Sequence, residues 1–332
     1  MIFFKSYLTN RRQQVEVNGV LSDFLTIVCG VPQGSVLGPI LFLLYTNDLA
    51  NASNFLTNLF ADDTCLSLCH DKLRELELRC NIEAAKVDEW FKANRLTTNS
   101  KKASNFILSS HSKTRNANFN IRMGEVALRR VTSVKYLGVI LDENISWTEQ
   151  MIYLSKKLSC SAGIFSKLRY YLNKDVLTRV YHSLFNSHLQ YAILCWGSAS
   201  SSNLQRLQVI QNRAIRNMSK CPRYYRLDNV YLNYRILKVK ELYDLEISKF
   251  MYQHHVNSLP VCFQNYFGIS YQRVTRNSAN SNYNTPFYRS NRGQRSIKFY
   301  GPKIWNSLPR NFRTLSKQNF KKHCKNYFLA KY

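Results

Sequence analysis

The stretch "LFADDTCLSL", Leu59 to Leu68, places two adjacent aspartates between two short apolar runs. The runs on either side predict two strands, and the small and acidic residues between them predict a tight turn. Such a hairpin would carry the carboxylates of Asp62 and Asp63 at its tip. Acidic pairs are common at turns, so these ten residues taken alone favour an ordinary reversal of the chain over a catalytic role.

A metal site is the alternative interpretation of the same pair. Mg²⁺ prefers hard oxygen ligands and keeps several waters, so a few carboxylates on a rigid element can hold it. Phosphoryl transfer of the polymerase type uses two such ions about 3.5–4 Å apart. The sequence around the hairpin decides between the two interpretations.

The segment upstream, "GVPQGSVLGPILFLLYTNDL" at 30–49, predicts a loop over 30–34 followed by a helix. Ser35 can cap this helix, and Pro39 falls in its first turn, where proline is tolerated. The apolar run 36–46 is too short to span a bilayer, which takes about 20 residues. It therefore predicts a buried core helix. Further upstream, Asn18-Gly19 between alternating apolar residues predicts another hairpin.

These segments together closely resemble the palm of the reverse transcriptases of non-LTR (LINE-type, jockey-like) retrotransposons. In that family the Pro-Gln-Gly loop, here Pro32, Gln33 and Gly34, contacts the incoming nucleotide and the template base. The Ala-Asp-Asp hairpin carries aspartates that bind metal, which implies this role for Asp62 and Asp63. The residue types suit these roles, because Gly34 lets the backbone approach a base and Gln33 offers both a donor and an acceptor.

The segment "WFKANRLTTNSKKASNFIL" resembles a further part of the same family, its Trp…Leu-x-Leu-Asn-x-x-Lys-Thr motif. Asn99 and Lys102 fall on the Asn and the Lys, and Ala103 stands where Thr is usual. The resemblance implies a catalytic role for Lys102 as a general acid or counter-charge at the triphosphate or the leaving pyrophosphate. A solvated surface lysine is an equally good interpretation of Lys102.

The segment "VKYLGVILDENISW", 134–147, resembles the family's hairpin that grips the primer strand. The resemblance implies that Tyr136, Leu137 and Gly138 bind the primer. Without the neighbouring motifs, an ordinary strand turning at a glycine would explain these three residues equally well. The later segments "HLQYAILCWG", "LQRLQVIQNRAIRNM" and "GPKIWNSLP" are similar to the thumb and the C-terminal part of the same elements.

Helical patterns predominate after Trp147, most clearly over 204–220. The apolar stripe of that helix comprises Leu204, Leu207, Ile210, Ala214 and Met218. On a different face, basic residues recur at steps suited to following a nucleic-acid backbone. They are Arg206, Arg213, Arg216 and Lys220. The alternative is a solvated basic face on a helix that packs against the core.

Charge is distributed very unevenly along the 332 residues, whose formal net charge is +27. Residues 1–150 carry 17 basic and 15 acidic residues, whereas residues 151–332 carry 30 basic and 5 acidic ones. No acidic residue follows Glu246. The basic half is also rich in Tyr and Phe, and interleaved cations and rings favour nucleic acid over a membrane as the partner. No protein partner can be inferred.

The nine cysteines are scattered, and the first residues lack the features of a signal peptide. This predicts free thiols in a reducing compartment, the nucleus or the cytoplasm, and a protein that is not secreted. Cys65, Cys69 and His70, like His254, His255 and Cys262, have no second pair at zinc-ligand spacing. These groups are therefore expected to be structural.

The predicted fold class is α+β. It combines a partial polymerase palm, with an antiparallel sheet and helices, a mostly helical thumb and a basic C-terminal region. The expected domains are the palm at 1–142, the thumb or connection at 143–250 and the C-terminal region at 251–332. By the resemblance, the fingers and the palm strand with a further catalytic aspartate would precede residue 1. The two-metal Mg²⁺ site is therefore expected to be incomplete in this chain.

The resemblance implies an enzyme by family, an RNA-directed DNA polymerase of a transposable element. Its partners would be an RNA template, a DNA primer and dNTPs. The chain alone is expected to be inactive, because the upstream aspartate is missing. The alternative function is that of a non-catalytic nucleic-acid-binding protein that uses the thumb and the basic C-terminal region. A group II intron-type or other reverse transcriptase is a third interpretation, which the "GPKIWNSLP" segment disfavours.

Overall fold

The computed structural model describes residues 2–28, 30–99, 102–109, 118–268 and 282–332. Contacts divide the chain into two compact units. The first contains the described residues of Met1–Asn105 and His111–Val131, and the second those of Phe106–Ser110 and Thr132–Tyr332. Helices and small, mostly antiparallel sheets make up both units, which confirms the α+β class.

The first unit contains three described helices and a set of short strands. The helices are α1 (Ile2–Leu8), α2 (Leu37–Thr46) and α3 (Leu73–Ala93). The strands are β1 (Arg12–Gln13), β2 (Glu16–Val17), β3 (Val20–Leu21), β4 (Leu25–Thr26), β5 (Leu56–Phe60), β6 (Asp63–Ser67), β7 (Ser104–Asn105), β8 (Arg122–Met123), β9 (Val126–Ala127) and β10 (Arg129–Arg130). The hairpin predicted at Asn18-Gly19 is confirmed as β2–β3, with both turn residues at positive φ.

Helix α2 has the predicted bounds but not the predicted burial. Only Gly38 and Thr46 are buried, and Leu44 is 70% exposed. The prediction of a buried core helix is therefore wrong for the described chain. Within the first unit, α2 is in contact mainly with the 3₁₀ turn Asn47–Asn51 that follows it. Because no second layer covers its apolar faces among the described residues, most of its side chains stay in solvent.

The second unit begins with the hairpin β11 (Ser133–Tyr136) and β12 (Val139–Asp142) and is helical from there on. The long helices are α4 (Thr148–Leu168), α8 (Ser201–Ser219) and α10 (Val239–His255). The shorter ones are α5 (Lys174–Tyr181), α6 (Ser187–Gln190), α7 (Ile193–Trp196), α9 (Asp228–Tyr234), α11 (Asn291–Arg295), α12 (Ile297–Ser307) and α13 (Lys317–Leu329). A π-helical turn, His182–Asn186, joins α5 to α6.

One continuous apolar core holds the second unit together. It extends from Val139 to Leu329 and includes fully buried aromatic side chains such as Trp196 and Trp305. Tyr252 of α10 stacks on Phe320 of α13 with ring centroids 4.4 Å apart. The large buried aromatic area makes this unit much better packed than the first.

The predicted domains and the compact units divide the chain differently. In the sequence, the first unit ends at Val131, whereas the predicted palm ends at 142. Residues 251–332, predicted as a separate C-terminal region, contribute Trp305 and Phe320 to the same core as the helices before them. The functional division into palm, thumb and C-terminal region stays a prediction.

No helix in the described part of the chain is long and apolar enough to cross a membrane. The cysteines of the described residues are free thiols, as predicted. Cys324 is buried among the core residues of α13, and this burial raises the pKa of its thiol to about 12. It is therefore protonated at neutral pH and packs as a small apolar side chain.

Candidate functional site

The Asp62-Asp63 pair lies at the tip of a two-residue hairpin. Strands β5 and β6 pair in antiparallel register with Phe60 opposite Asp63, so Ala61 and Asp62 form the loop. Ala61 adopts φ = +51°, a left-handed conformation that costs a non-glycine residue free energy. Both aspartates are exposed. The hairpin therefore presents two adjacent carboxylates to solvent, as the sequence predicts.

A buried carboxylate fixes the start of this hairpin against helix α3. Glu83 Oε2 accepts a hydrogen bond of 2.7 Å from the backbone N–H of Asn54, and its Oε1 accepts one of 3.1 Å from the Asn54 amide. Lys86 forms an ion pair with Glu83 at 2.8 Å. The hydrogen bond from the Asn54 backbone, followed by the contact with Lys86, lowers the pKa of Glu83 to about 2. Glu83 therefore stays ionised and anchors the segment that leads into β5.

The hairpin tip supplies the hard oxygen donors that Mg²⁺ prefers. Asp62 and Asp63 would provide these donors from consecutive residues of a tight turn. Within residues 2–28, 30–99, 102–109, 118–268 and 282–332, no cluster of three or more His, Cys, Asp or Glu side chains is suited to a metal ion.

The Pro-Gln-Gly loop is held by the hydroxyl of Ser35. Ser35 Oγ donates to the Pro32 carbonyl at 2.9 Å and accepts from the Gly38 N–H at 3.0 Å. The Tyr7 hydroxyl donates to the same oxygen at 2.5 Å. One donor and two acceptor positions of the hydroxyl are therefore all used. Ser35 precedes the N-cap residue Val36, and its hydroxyl bonds the first turn of α2 and also ties the loop to helix α1.

Gly34 in the loop and Gly38 in the first turn of α2 serve different purposes. A Cβ on Gly38 would lie 2.9 Å from Ser35 Oγ and 3.3 Å from the Pro32 carbonyl, so only glycine allows this close packing. Gly34 instead has φ = +78° and open space where a Cβ would lie. Gln33 and Gly34 are exposed, and Pro32 is half-buried. The loop thus presents backbone and an amide to solvent from a fixed base.

Lys102 is exposed, and its backbone N–H donates to the Asn99 carbonyl at 3.0 Å. Among the described residues, no hydrogen bond or ion pair joins the Lys102 side chain, the Pro-Gln-Gly loop and the Asp62-Asp63 hairpin to one another. The three lie in the same unit. The role implied for Lys102 stays a prediction.

The hairpin Tyr136-Leu137-Gly138 belongs to the second unit. Tyr136 pairs with Val139, and the two turn residues have φ = +45° and +80°. Positive φ at both central positions is the pattern of a type I′ turn, which matches the twist of the flanking strands. Tyr191 packs on this turn, with its hydroxyl donating to the Leu137 carbonyl at 2.6 Å.

The basic face of α8 is only partly as predicted. Arg206, Arg213 and Lys220 are exposed on one side of the helix. Arg216 is half-buried and lines a cavity instead. Lys220 lies over the ring of Tyr170, 5.4 Å from its centroid. Of the predicted apolar stripe, Leu207, Ala214 and Met218 are buried, and Leu204 and Ile210 are half-buried.

Three positioning residues are missed by sequence reasoning. Tyr7 and Glu83 form hydrogen bonds to residues that are 28 and 29 positions away in the sequence, and Tyr191 to one that is 54 positions away. Tyr191 lies within "HLQYAILCWG", a segment singled out for its resemblance, whereas Tyr7 and Glu83 lie outside the motifs used to recognise the family. A charged residue at an otherwise apolar helix position could have indicated Glu83, because a buried carboxylate needs partners. His254, one of the histidines considered above as a zinc ligand, is buried. Its ring contacts the Tyr283 hydroxyl at 2.8 Å, which is a structural role.

Comparison with known proteins relates the first part of the chain to a family of polymerases. Residues 2–141 match the family described as reverse transcriptase (RNA-dependent DNA polymerase). The chain is 31% identical over 274 residues to the probable RNA-directed DNA polymerase from transposon BS of Drosophila melanogaster, covering 76% of this chain and 29% of that protein. It is 27% identical over 269 residues to that from transposon X-element of the same fly, covering 76% and 28%.

A third relative is the RNA-directed DNA polymerase from mobile element jockey of Drosophila funebris, 26% identical over 281 residues, covering 81% of this chain and 30% of that protein. No solved structure matches. The chain spans less than a third of the length of these relatives. Residues 2–141 thus match the reverse transcriptase family, and the chain is similar over most of its length to the RNA-directed DNA polymerases of the BS, X-element and jockey elements.

Proposed function

We propose that this chain is the part of a non-LTR retrotransposon reverse transcriptase that carries one half of the polymerase metal site. The observation that carries the proposal is the tight β5–β6 turn, which presents Asp62 and Asp63 side by side within the segment that matches the family. The reaction would be DNA synthesis from dNTPs on an RNA template, extending a DNA primer.

In this proposal, residues 1–142 belong to the partial palm, residues 143–250 to the helical thumb or connection and residues 251–332 to the basic C-terminal region. Pro32, Gln33 and Gly34 would contact the nucleotide and template base from the loop fixed by Ser35. Tyr136, Leu137 and Gly138 would bind the primer. Arg206, Arg213 and Lys220 would contact phosphates, and Arg216 would do so from the cavity beside them.

Asp62 and Asp63 would hold Mg²⁺ through their carboxylate oxygens. When bound, Mg²⁺ would neutralise the negative charge on the reacting phosphates and the attacking hydroxyl. Lys102 would add a positive charge or a proton for the leaving pyrophosphate. The chain itself contributes the rigid turn, since Phe60 and Asp63 are paired and Glu83 fixes the approach to β5.

We further propose that the chain alone does not polymerise. The two carboxylates lack a third acidic partner among the described residues, and a two-metal site needs more ligands than one turn provides. The exposed apolar side chains of α2 support a larger assembly, because large exposed apolar patches usually mark contact surfaces. The compartment would be the nucleus or the cytoplasm, where the template and primer are found.

Localised metal cleavage tests the ligand assignment without requiring activity. Fe²⁺ in place of Mg²⁺, with ascorbate and peroxide, should cut the purified chain near residues 62 and 63, and excess Mg²⁺ should suppress the cut. Asp62→Asn and Asp63→Asn should each abolish it. Asp71→Asn, at another exposed aspartate of the same unit, is the matched control and should leave it unchanged. Cleavage that persists in Asp62→Asn would refute the ligand assignment.

Primer extension tests the second part of the proposal. The purified chain, an RNA template, a DNA primer, dNTPs and Mg²⁺ should give no extended product. Extension that Asp62→Asn abolishes would refute the proposed inactivity and support the site. Extension that survives Asp62→Asn would refute the site itself.

A further inference from the structure

A polar cavity of about 380 Å³ lies beside α8, α9 and the loop between them. Its lining residues are Gln208, Asn212, Arg216, Tyr224, Tyr225, Arg226, Leu227, Asp228, Tyr231 and Lys238. The volume falls in the range of about 300–1,000 Å³ that is usual for sites of small ligands or single groups of larger ones. None of these residues belongs to the palm motifs.

Three of the residues that line the cavity, Gln208, Asn212 and Tyr231, are joined by hydrogen bonds. The Tyr231 hydroxyl donates to Asn212 Oδ1 at 2.7 Å, and the Gln208 amide donates to Asn212 Oδ1 at 2.9 Å. Gln208 Oε1 accepts from the backbone N–H of Val239 at 2.9 Å. Such a network is rigid and gives the cavity a fixed shape.

The cations at the cavity are in surplus. Its one acidic residue, Asp228, is already paired with Lys238 at 2.7 Å. No ion pair joins Asp228 to Arg216 or Arg226 among the described residues. The Nε of Arg216 is enclosed yet has no hydrogen-bond partner within the described chain. Arg216 and Arg226 therefore add two positive charges to the cavity lining that Asp228 does not pair with, and an anionic ligand could form charge-assisted hydrogen bonds with them.

Aromatic rings stand at the same opening. The loop "CPRYYR", 221–226, places Tyr224 and Tyr225 between Arg223 and Arg226. Tyr224 is 90% exposed, which is unusual for so large a ring, and Tyr225 is also exposed. Exposed rings beside cations are the features by which proteins bind single strands, because bases stack on the rings while cations contact the phosphates.

We infer that this cavity binds a nucleotide of a single-stranded nucleic acid, with its phosphate at Arg216 and Arg226 and its base on Tyr224. The inference deepens the proposed function and rests on it for the kind of polyanion. Its residues are separate from Asp62 and Asp63. An acidic peptide could satisfy the arginines, but it would leave the exposed ring of Tyr224 without a flat partner.

The test measures binding of a fluorescent single-stranded RNA to the full chain by anisotropy. Tyr224→Ala should weaken binding about 5-fold to 100-fold, the usual effect of removing the ring on which one base stacks. Tyr171→Ala is the matched control, since Tyr171 is 85% exposed in the same unit and is not among the residues that line the cavity. It should bind like the unmodified chain. Equal affinities for the two variants would overturn the inference.

The arginines are tested by salt dependence. Arg216→Gln with Arg226→Gln should reduce the slope of log affinity against log salt by about 0.7, because the two arginines share one phosphate and each phosphate of a single strand that is no longer neutralised reduces the slope by about 0.7. Arg179→Gln, at an exposed arginine of α5, is the control. The decrease in slope caused by the double substitution should be the same with and without it. An unaltered slope in the double variant would contradict a phosphate at this site.

Crosslinking identifies the bound base directly and separates the possible ligands. An RNA carrying 5-iodouracil should crosslink to Tyr224 on irradiation. AMP or poly-glutamate at equal concentration should not displace the RNA, and displacement by either would overturn the assignment to a strand. Asp62→Asn should crosslink normally. A negative result in the RNA-binding and crosslinking experiments would therefore not affect the proposed metal ligands. A negative result in the metal-cleavage experiment at Asp62 would not affect this inference.

Discussion

The Tyr191 hydroxyl donates a hydrogen bond of 2.6 Å to the carbonyl of Leu137, 54 residues earlier in the chain. The ring of Tyr191 also lies against the turn, since a Cβ on Gly138 would be 3.2 Å from Cε1. One side chain thus fixes both turn residues of the hairpin that the family resemblance assigns to the primer. It connects this hairpin to the helices of the same unit.

Tyr191→Phe should remove the hydrogen bond and keep the ring in place. We expect a decrease of about 1 kcal/mol in the free energy of unfolding of this unit, the usual net value of one hydrogen bond. Urea unfolding followed by circular dichroism measures the change. Tyr171→Phe is the control, because Tyr171 is highly exposed, and it should have no effect. Equal stability of the two variants would show that the bond contributes nothing.

Ser35→Ala should loosen the Pro-Gln-Gly loop. The substitution removes the hydroxyl that Tyr7, Pro32 and Gly38 share, and loss of a helix cap alone typically costs about 1 kcal/mol. We expect faster limited proteolysis within 30–34. Ser6→Ala, at an exposed serine of α1, should leave the rate unchanged. If the loop is cut no faster in Ser35→Ala, the hydroxyl does not hold it.

Glu83→Gln should alter the pH dependence of stability. The pKa of Glu83 falls from about 4.5 to about 2 on folding, so its ionised form stabilises the fold above pH 4.5. That contribution decreases as the pH falls from about 4.5 towards 2. The unmodified chain should therefore be more stable than Glu83→Gln at pH 7, and the difference should shrink below pH 4.5.

Urea unfolding midpoints between pH 2.5 and pH 7 would measure this difference. Glu89→Gln is the matched control on the same helix, because Glu89 is exposed. Its midpoint should follow that of the unmodified chain at every pH. A constant difference between Glu83→Gln and the unmodified chain from pH 7 down to pH 2.5 would contradict the role of the ionised carboxylate.

Ala61→Gly should stabilise the hairpin tip. Ala61 has φ = +51°, which costs an L-residue roughly 1 kcal/mol and costs glycine almost nothing. Ala61→Val should do the opposite, because a branched Cβ is strained further at positive φ. Hydrogen exchange at the amides of β5 and β6 should slow in the glycine variant and accelerate in the valine variant. The same direction of change in both would refute the strain argument.

Local sequence predicted the short-range features well. The turns at Asn18-Gly19, Ala61-Asp62 and Leu137-Gly138 and the hydrogen bond between Ser35 and the first turn of α2 all occur where expected. These features depend on a few consecutive residues, since turn geometry and capping are decided within one or two turns of chain. The assignment to the reverse transcriptase family likewise followed from ordered motifs along the chain.

Burial could not be predicted in the same way. The apolar run of α2 predicts a core position, yet Leu44 and its neighbours are exposed, because burial depends on which layers pack against a helix. Arg216 was grouped with Arg206 and Arg213 by helical spacing. The structure places it at a cavity because the loop 221–226 and α9 fold back beside that side of α8.

Local sequence specifies the elements and their chemistry: the acidic turn, the glycine loop, the basic helix and the match of residues 2–141 to the reverse transcriptase family. Tertiary structure alone decided which distant groups fix them, as Tyr7 fixes the loop, Glu83 the hairpin and Tyr191 the second turn. The difference lies in how far apart in the sequence the interacting residues are. Backbone conformation follows from neighbouring residues, whereas burial and hydrogen-bond partners depend on groups that only folding brings within a few ångströms.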